Sequence, residues 1–190
     1  MKLPAIHVRP LPYEQNLQAR ADATMDLVVV HCTELPDLEA ARIAGEYIRY
    51  PRSNSGNSGH FYIDRKGHTE QWVDIGRIAH HVRQYNGRSI GIELVNRGRY
   101  PDWLHSDRQN MVEPYPDEQI DSLIELLGWL CGNVPTLRWI AGHEDLDLER
   151  IAASNDPART VRRKLDPGPL FPWDRVLSAS SLQRLYHVST

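Results

Sequence analysis

The chain has 190 residues, of which 41% are apolar, enough for one domain with a substantial core. Its net charge is −3 with no basic run, which argues against nucleic acid as a partner. No apolar stretch approaches the ~20 residues that cross a membrane, and the lone cysteines Cys32 and Cys131 make no disulfide framework and suit a reducing compartment.

Residues 1–25, interrupted by Pro4, Pro10 and Pro12, read as an N-terminal arm. They contain no apolar run followed by a small-residue cleavage site, so no secretory signal is expected, and the expected location is cytoplasmic. Residues 26–33, Asp-Leu-Val-Val-Val-His-Cys-Thr, predict a buried strand that carries His31 to the rim of a sheet. Open α/β sheets bind ligands at such strand ends. A helix is predicted over 37–50, with Asp37 or a neighbour as its cap and Pro51 as its stop. The polar segment 52–59 then reads as a mobile loop beside the site. Residues 60–64 and 69–73 predict a hairpin, with Gly67 supplying the positive φ of its turn.

Residues 74–86 form a connection holding His80 and His81. A third buried strand follows over 89–95, with Glu93 inside an otherwise apolar run. Residues 96–115 predict a long irregular loop of the kind that borders a site. The spacing of Ile120, Leu123, Ile124, Leu127 and Leu130 predicts an amphipathic helix over 116–131. A strand over 137–141 delivers His143 just past its end, and a short helix is expected over 147–152. The proline-dense run 164–173 reads as a rigid turn, and 178–190 as a C-terminal tail.

Two imidazoles and a carboxylate, His31, His143 and Asp166, match the three-ligand, open-position set of catalytic zinc. The alternative is two core histidines and a turn-forming aspartate. A carboxylate within a buried strand is costly unless paired or used. Glu93 is therefore either ion-paired with Arg88 or Arg97, or a general base with a raised pKa. Lys164, two residues before Asp166, either shares a pocket with it or is an ordinary surface charge after Arg162 and Arg163. His81 reads as a pocket-wall residue and His60 as a buried support. His7, His68, His105 and His187 are expected to be solvated, and Trp72, Trp139 and Trp173 to belong to the core.

Five segments then occur in a telling order: Val-Val-Val-His31-Cys-Thr, Gly59-His-Phe-Tyr-Ile-Asp-Arg-Lys-Gly67, Ser89-Ile-Gly-Ile-Glu-Leu-Val-Asn96, Ala141-Gly-His143-Glu-Asp, and Lys164-Leu-Asp-Pro-Gly-Pro-Leu-Phe-Pro-Trp173. Together they resemble the zinc-dependent N-acetylmuramoyl-L-alanine amidases of the type-2 amidase, or peptidoglycan-recognition-protein-like, family. The resemblance implies a single α/β domain over 26–177, with a central mixed β-sheet flanked by helices and the zinc site at the sheet edge. It implies zinc (Zn2+) held by His31, His143 and Asp166, catalytic roles for Glu93 and Lys164, and a substrate-binding role for His81. Gly59 stands where phage and animal relatives carry a tyrosine, so Glu93 has to supply the base. The implied activity is hydrolysis of the amide between N-acetylmuramic acid and L-alanine. The implied partners are peptidoglycan fragments or muropeptides, with no nucleic acid or membrane, and a monomer is expected. The loops 52–59 and 96–115 are expected to frame the groove. The competing reading is a non-catalytic peptidoglycan-binding module of the same fold.

Overall fold

The structure is a computed structural model that describes residues 4–21 and 24–186. His187 lies outside the described residues. The apolar run expected from the sequence is strand β2, Leu27–Cys32, buried along its whole length. It lies inside a seven-stranded sheet between β5, Ser89–Leu94, and β6, Trp139–Gly142. All three run parallel, so their carboxyl ends open on the same rim. Beyond β5 lie β3, Phe61–Ile63, and β4, Thr69–Gln71, which pair antiparallel as the predicted hairpin. Its turn uses Gly67 at φ +80, and the Asp64 carboxylate accepts from the Lys66 and His68 amides.

Alternation along these strands sorts their side chains into two faces. Val28 and Val30 of β2, Ile90, Ile92 and Leu94 of β5, and Phe61 and Ile63 of β3 share one cluster with helix α2, Asp117–Asn133. That helix contributes Ile120, Leu123, Leu126, Leu127 and Leu130, the stripe its spacing predicted. Gln119, fully buried, donates to the Ile63 and Val95 carbonyls and so ties α2 to the backbone at the ends of β3 and β5. The other face carries Leu27, Val29, Ala141, Val82 and Leu146 in one small cluster. Tyr62, Trp72, Ala41 and Tyr13 belong to a second cluster. Helix α1, Leu38–Glu46, starts at Asp37, whose carboxylate accepts from the Ala40 amide at 2.8 Å. It ends ahead of Pro51, because the chain is already extended at Tyr47.

Several expectations need correction. The segment 147–152 is not a helix. The short helix α3, His143–Leu146, begins earlier, and the Asp145 carboxylate accepts from the Gly142 amide at its start. Residues Arg150–Ala152 form β7, antiparallel to β8, Thr160–Arg162, in a separate two-stranded ribbon. The segments expected as arm and tail both contribute to the main sheet. Strand β1, Ile6–Val8, pairs parallel with β4, and Leu11, Tyr13 and Leu17 are buried behind it. Helix α4, Trp173–Ser178, leads to β9, Gln183–Arg184, which pairs with β6. Arg184 lies 3.9 Å over the Trp173 ring and pairs with Asp145, which ties this segment to α3. No helix among the described residues is long and apolar enough to cross a membrane.

Candidate active site

His31 is the penultimate residue of β2, and the parallel register pairs it with Glu93 on β5. Glu93 in turn pairs with Tyr62 on β3. Tyr62, Glu93 and His31 therefore form a row across three strands, on the face opposite α2. The next strand over, β6, ends at Gly142 and hands the chain to His143 at the first turn of α3. The rigid turn predicted around Asp166 crosses above, and the Glu144 amide donates to the Asp166 carbonyl at 2.8 Å. The expected site at the sheet edge is thus the carboxyl rim of the central strands, and not a lateral edge strand.

His31 Nδ1 lies 3.0 Å and His143 Nδ1 3.2 Å from the same oxygen, Asp166 Oδ2. All three residues are at most 3% exposed. One ligand atom from each lies within 4.8 Å of the others, so the trio can hold a metal ion. Donors about 2 Å from a tetrahedral centre stand roughly 3.3 Å apart, close to the two imidazole–carboxylate separations seen here. Asp166 Oδ1 and His143 Nε2 are buried without a hydrogen-bond partner among the described residues. A dry carboxylate with an unsatisfied oxygen is costly, and a cation among these donors removes that cost. Burial alone would raise the Asp166 pKa, but the positive field of its neighbours, His143 and Lys164 first, outweighs it and holds it well below the usual carboxylate range. Burial lowers the His143 pKa, which favours the neutral ring that a metal needs.

Glu93 forms no ion pair among the described residues. Arg88 is paired with Asp26 instead, and the Arg97 amide donates to Glu113. Burial raises the Glu93 pKa to about 7, with the Asp166 carboxylate adding to the rise and His31 and Lys164 opposing it. Of the two readings of this residue, the ion pair is therefore absent and the perturbed carboxyl is present. Lys164, half-buried, lines the same cavity of ≈ 400 Å³ as His31, His81, Glu93, His143 and Asp166. Its field is felt at Glu93, His143 and Asp166. His60 is fully buried as expected: its Nδ1 accepts from the Gly91 amide, its Nε2 meets the Arg77 carbonyl, and burial lowers its pKa to about 3. Gly59 has no room for a side chain, since a Cβ there would stand 2.8 Å from Glu93 Cγ. A side chain at 59 and the observed Glu93 position exclude each other.

The framing loops divide. Asn57 and Ser58 line the cavity, together with Arg49 and Tyr50. The 96–115 loop does not. It braces the Asp166 turn from outside, through the buried Arg99, which pairs with Glu34 and donates to the Arg162 and Arg163 carbonyls. Sequence reasoning missed this brace, together with Ser89 and Gly91, which share the Glu93 face of β5. Strand alternation counted back from Glu93 would have found the latter two.

These coordinates in sequence and space have counterparts in known proteins. The chain is 36% identical to the N-acetylmuramoyl-L-alanine amidase AmiD of Escherichia coli K12 over 91 residues, which is 48% of this chain and 27% of AmiD. It is 30% identical over 132 residues to the 1,6-anhydro-N-acetylmuramyl-L-alanine amidase AmpD of Haemophilus influenzae, covering 64% of this chain and 58% of that protein. The chain thus spans less than two thirds of the length of either relative. Among solved structures, the endolysin amidase LysCS from Clostridium intestinale superposes with a TM-score of 0.67 at 19% identity, covering 96% of this chain and 99% of that one. A selenomethionine derivative of AmpD superposes with a TM-score of 0.64 at 24% identity, covering 95% and 99%. Both structures share the fold described above. The N-acetylmuramoyl-L-alanine amidase family model matches residues 21–169, and with that match over most of its length the chain belongs to this family.

Proposed function

We propose that this protein is a zinc-dependent amidase that cleaves the bond between the lactyl carbonyl of N-acetylmuramic acid and the nitrogen of L-alanine, in peptidoglycan or its soluble fragments. The observation that carries this reading is the pairing of His31 with Glu93, which aims an unpaired carboxyl group with a pKa of about 7 at a His-His-Asp donor set. The names of the relatives and the family membership support the choice of bond.

His31, His143 and Asp166 would hold the zinc. When bound, it supplies the Lewis acidity that makes water a nucleophile near neutral pH and polarises an amide carbonyl. Glu93 takes the proton of the attacking water and returns it to the departing L-alanine nitrogen, a shuttle suited to a carboxyl group that titrates near the working pH. Lys164 turns its ammonium to the carbonyl oxygen and stabilises the negative charge that gathers there as the carbon becomes tetrahedral. The half-buried Arg163 anchors the stretch before Lys164 by pairing with Asp147 and Glu149. A scaffold that only bound wall fragments would have no use for an unpaired carboxyl and an ammonium on the same donor set, and this favours the enzyme over the binding module.

The test is digestion of a soluble anhydro-muropeptide and of intact sacculi, followed by mass spectrometry. Release of free stem peptide with an L-alanine amino terminus is expected from at least one of them. Tight binding of both substrates with no cleavage by the zinc-loaded protein would overturn the enzymatic reading in favour of the binding module.

A further inference from the structure

Resting on that zinc reading, we propose that His81 is not chiefly a substrate-binding residue but a positioning residue that, with Ser89, holds His31 in the Nε2–H tautomer and leaves the Nδ1 lone pair for the metal. The argument starts at the far end of a hydrogen-bond chain. Ser89 Oγ lies 2.8 Å from the Tyr85 carbonyl, which only accepts, so the single hydroxyl proton is committed there. The same oxygen lies 3.2 Å from His81 Nε2 and must accept from it, which puts the proton of a neutral His81 ring on Nε2. His81 Nδ1 then has a lone pair to offer. It stands 3.0 Å from His31 Nε2, which must be the donor. The direction of each link follows from the one before, and the chain ends on backbone that cannot reverse it.

The consequence appears at the other side of the His31 ring. With its proton on Nε2, Nδ1 meets Asp166 Oδ2 at 3.0 Å as acceptor against acceptor. That contact is repulsive by itself and becomes favourable only with a cation shared between the two atoms. The chain therefore prepares the donor set for a metal.

Several neighbours hold the His81 ring, which lines the cavity, in place. The Asn86 carboxamide oxygen accepts from the His81 and Val82 amides and fixes its backbone. Gly91 faces the ring so closely that a Cβ there would stand 2.7 Å from its Cγ and Nδ1. His31 and His60 flank it edge-on, with ring centroids 5.1 and 5.6 Å away. Ser89 and Gly91 lie on the same face of β5 as Glu93, so one strand carries both the proposed base and the supports of the proposed ligand. Outer partners of this kind fix the tautomer and orientation of ligating histidines, and their loss typically weakens metal affinity by about 10–100-fold.

The experiment measures zinc affinity by chelator competition for the wild type, His81→Ala, His81→Asn and Ser89→Ala, and records ¹⁵N spectra of the zinc-loaded proteins. Asn offers a carboxamide oxygen where Nδ1 stood, so it keeps the acceptor without the ring. His81→Ala should bind zinc about 10–100-fold more weakly, Ser89→Ala should shift in the same direction, and His81→Asn should recover most of the wild-type affinity. The His31 Nε2–H proton should be slow to exchange in wild type and His81→Asn, and fast in His81→Ala. Equal weakening in His81→Ala and His81→Asn, or none in either, would overturn the proposal, as would ligation of wild-type His31 through Nε2. A wild type that binds no zinc would instead overturn the functional reading on which the proposal rests.

Discussion

The two faces of the central sheet are built from the same strands and have opposite chemistry. Against α2, the residues Val28, Val30, Ile90, Ile92 and Leu94 are all apolar and fully buried in one cluster. On the other face the alternate residues of β5 are Ser89, Gly91 and Glu93, and those of β2 run Leu27, Val29, His31. On that face alone the strands end in ionisable groups at the carboxyl rim. One side of a strand thus supplies most of the burial that holds the sheet, while its neighbours carry a perturbed carboxyl and an imidazole. The period of two allows this, because adjacent residues never share a face. Stability and chemistry should therefore separate between adjacent positions.

Glu93→Gln is the strongest test of that separation. It should keep zinc and the fold and lose about 10²–10⁴ in kcat, the usual contribution of a positioned proton acceptor. Loss of the metal, or near-normal turnover, would show that the site face does not work as described. Lys164→Ala should cost roughly 10²–10³, in kcat more than in KM, because charge develops on the carbonyl oxygen only in the transition state. Arg159→Ala, which removes an exposed partner of Asp107, is the control and should leave kinetics unchanged at equal zinc occupancy. Similar kcat values for the two variants would return Lys164 to the surface.

Ile92→Val, one residue from Glu93 but facing α2, should do the reverse. It should lower stability by about 0.5–1.5 kcal/mol in denaturant unfolding and leave kcat alone. A fall in kcat comparable with that of Glu93→Gln would mean that the two faces are coupled through the backbone.

The same separation predicts a pH-dependent stability in the metal-free protein. Burial, the largest influence, raises the folded-state pKa of Glu93 from 4.5 to about 7. Between those values the folded chain binds the proton more tightly than the unfolded one, so stability falls as pH rises through that window. Glu93→Gln should match wild type near pH 4.5 and exceed it at pH 8 by up to roughly 10 °C in Tm, since a shift of this size amounts to about 3 kcal/mol and each kcal/mol is worth about 2–4 °C for a chain of this size. A Tm difference that does not change with pH would show that the carboxyl is solvated in the folded protein.

Much of the frame could be read locally. The valine run of β2, the mixed run of β5, the Gly67 hairpin and the apolar stripe of α2 each announce themselves within a dozen residues, because burial imposes its period on the segment that is buried. Short elements were harder. Residues 150–152 were misread as helix because three residues show no period, and what makes them a strand is pairing with 160–162. Ile6–Val8 and Gln183–Arg184 became strands for the same reason, each by adding to an edge that the core had already formed.

The candidate site divides along the same line. By itself the sequence determined that His31 and His143 end apolar strands, that Glu93 interrupts one, and that a proline-rich turn carries Lys164 and Asp166. Only the tertiary structure decided that β2 pairs with β5 in the register that sets His31 beside Glu93, and that both imidazoles converge on Asp166 Oδ2. It alone decided that Ser89 and Tyr85 orient His81. Periodicity is a property of one segment and survives in its residue order, whereas register and convergence depend on contacts between segments as far as 135 positions apart, which no local pattern encodes.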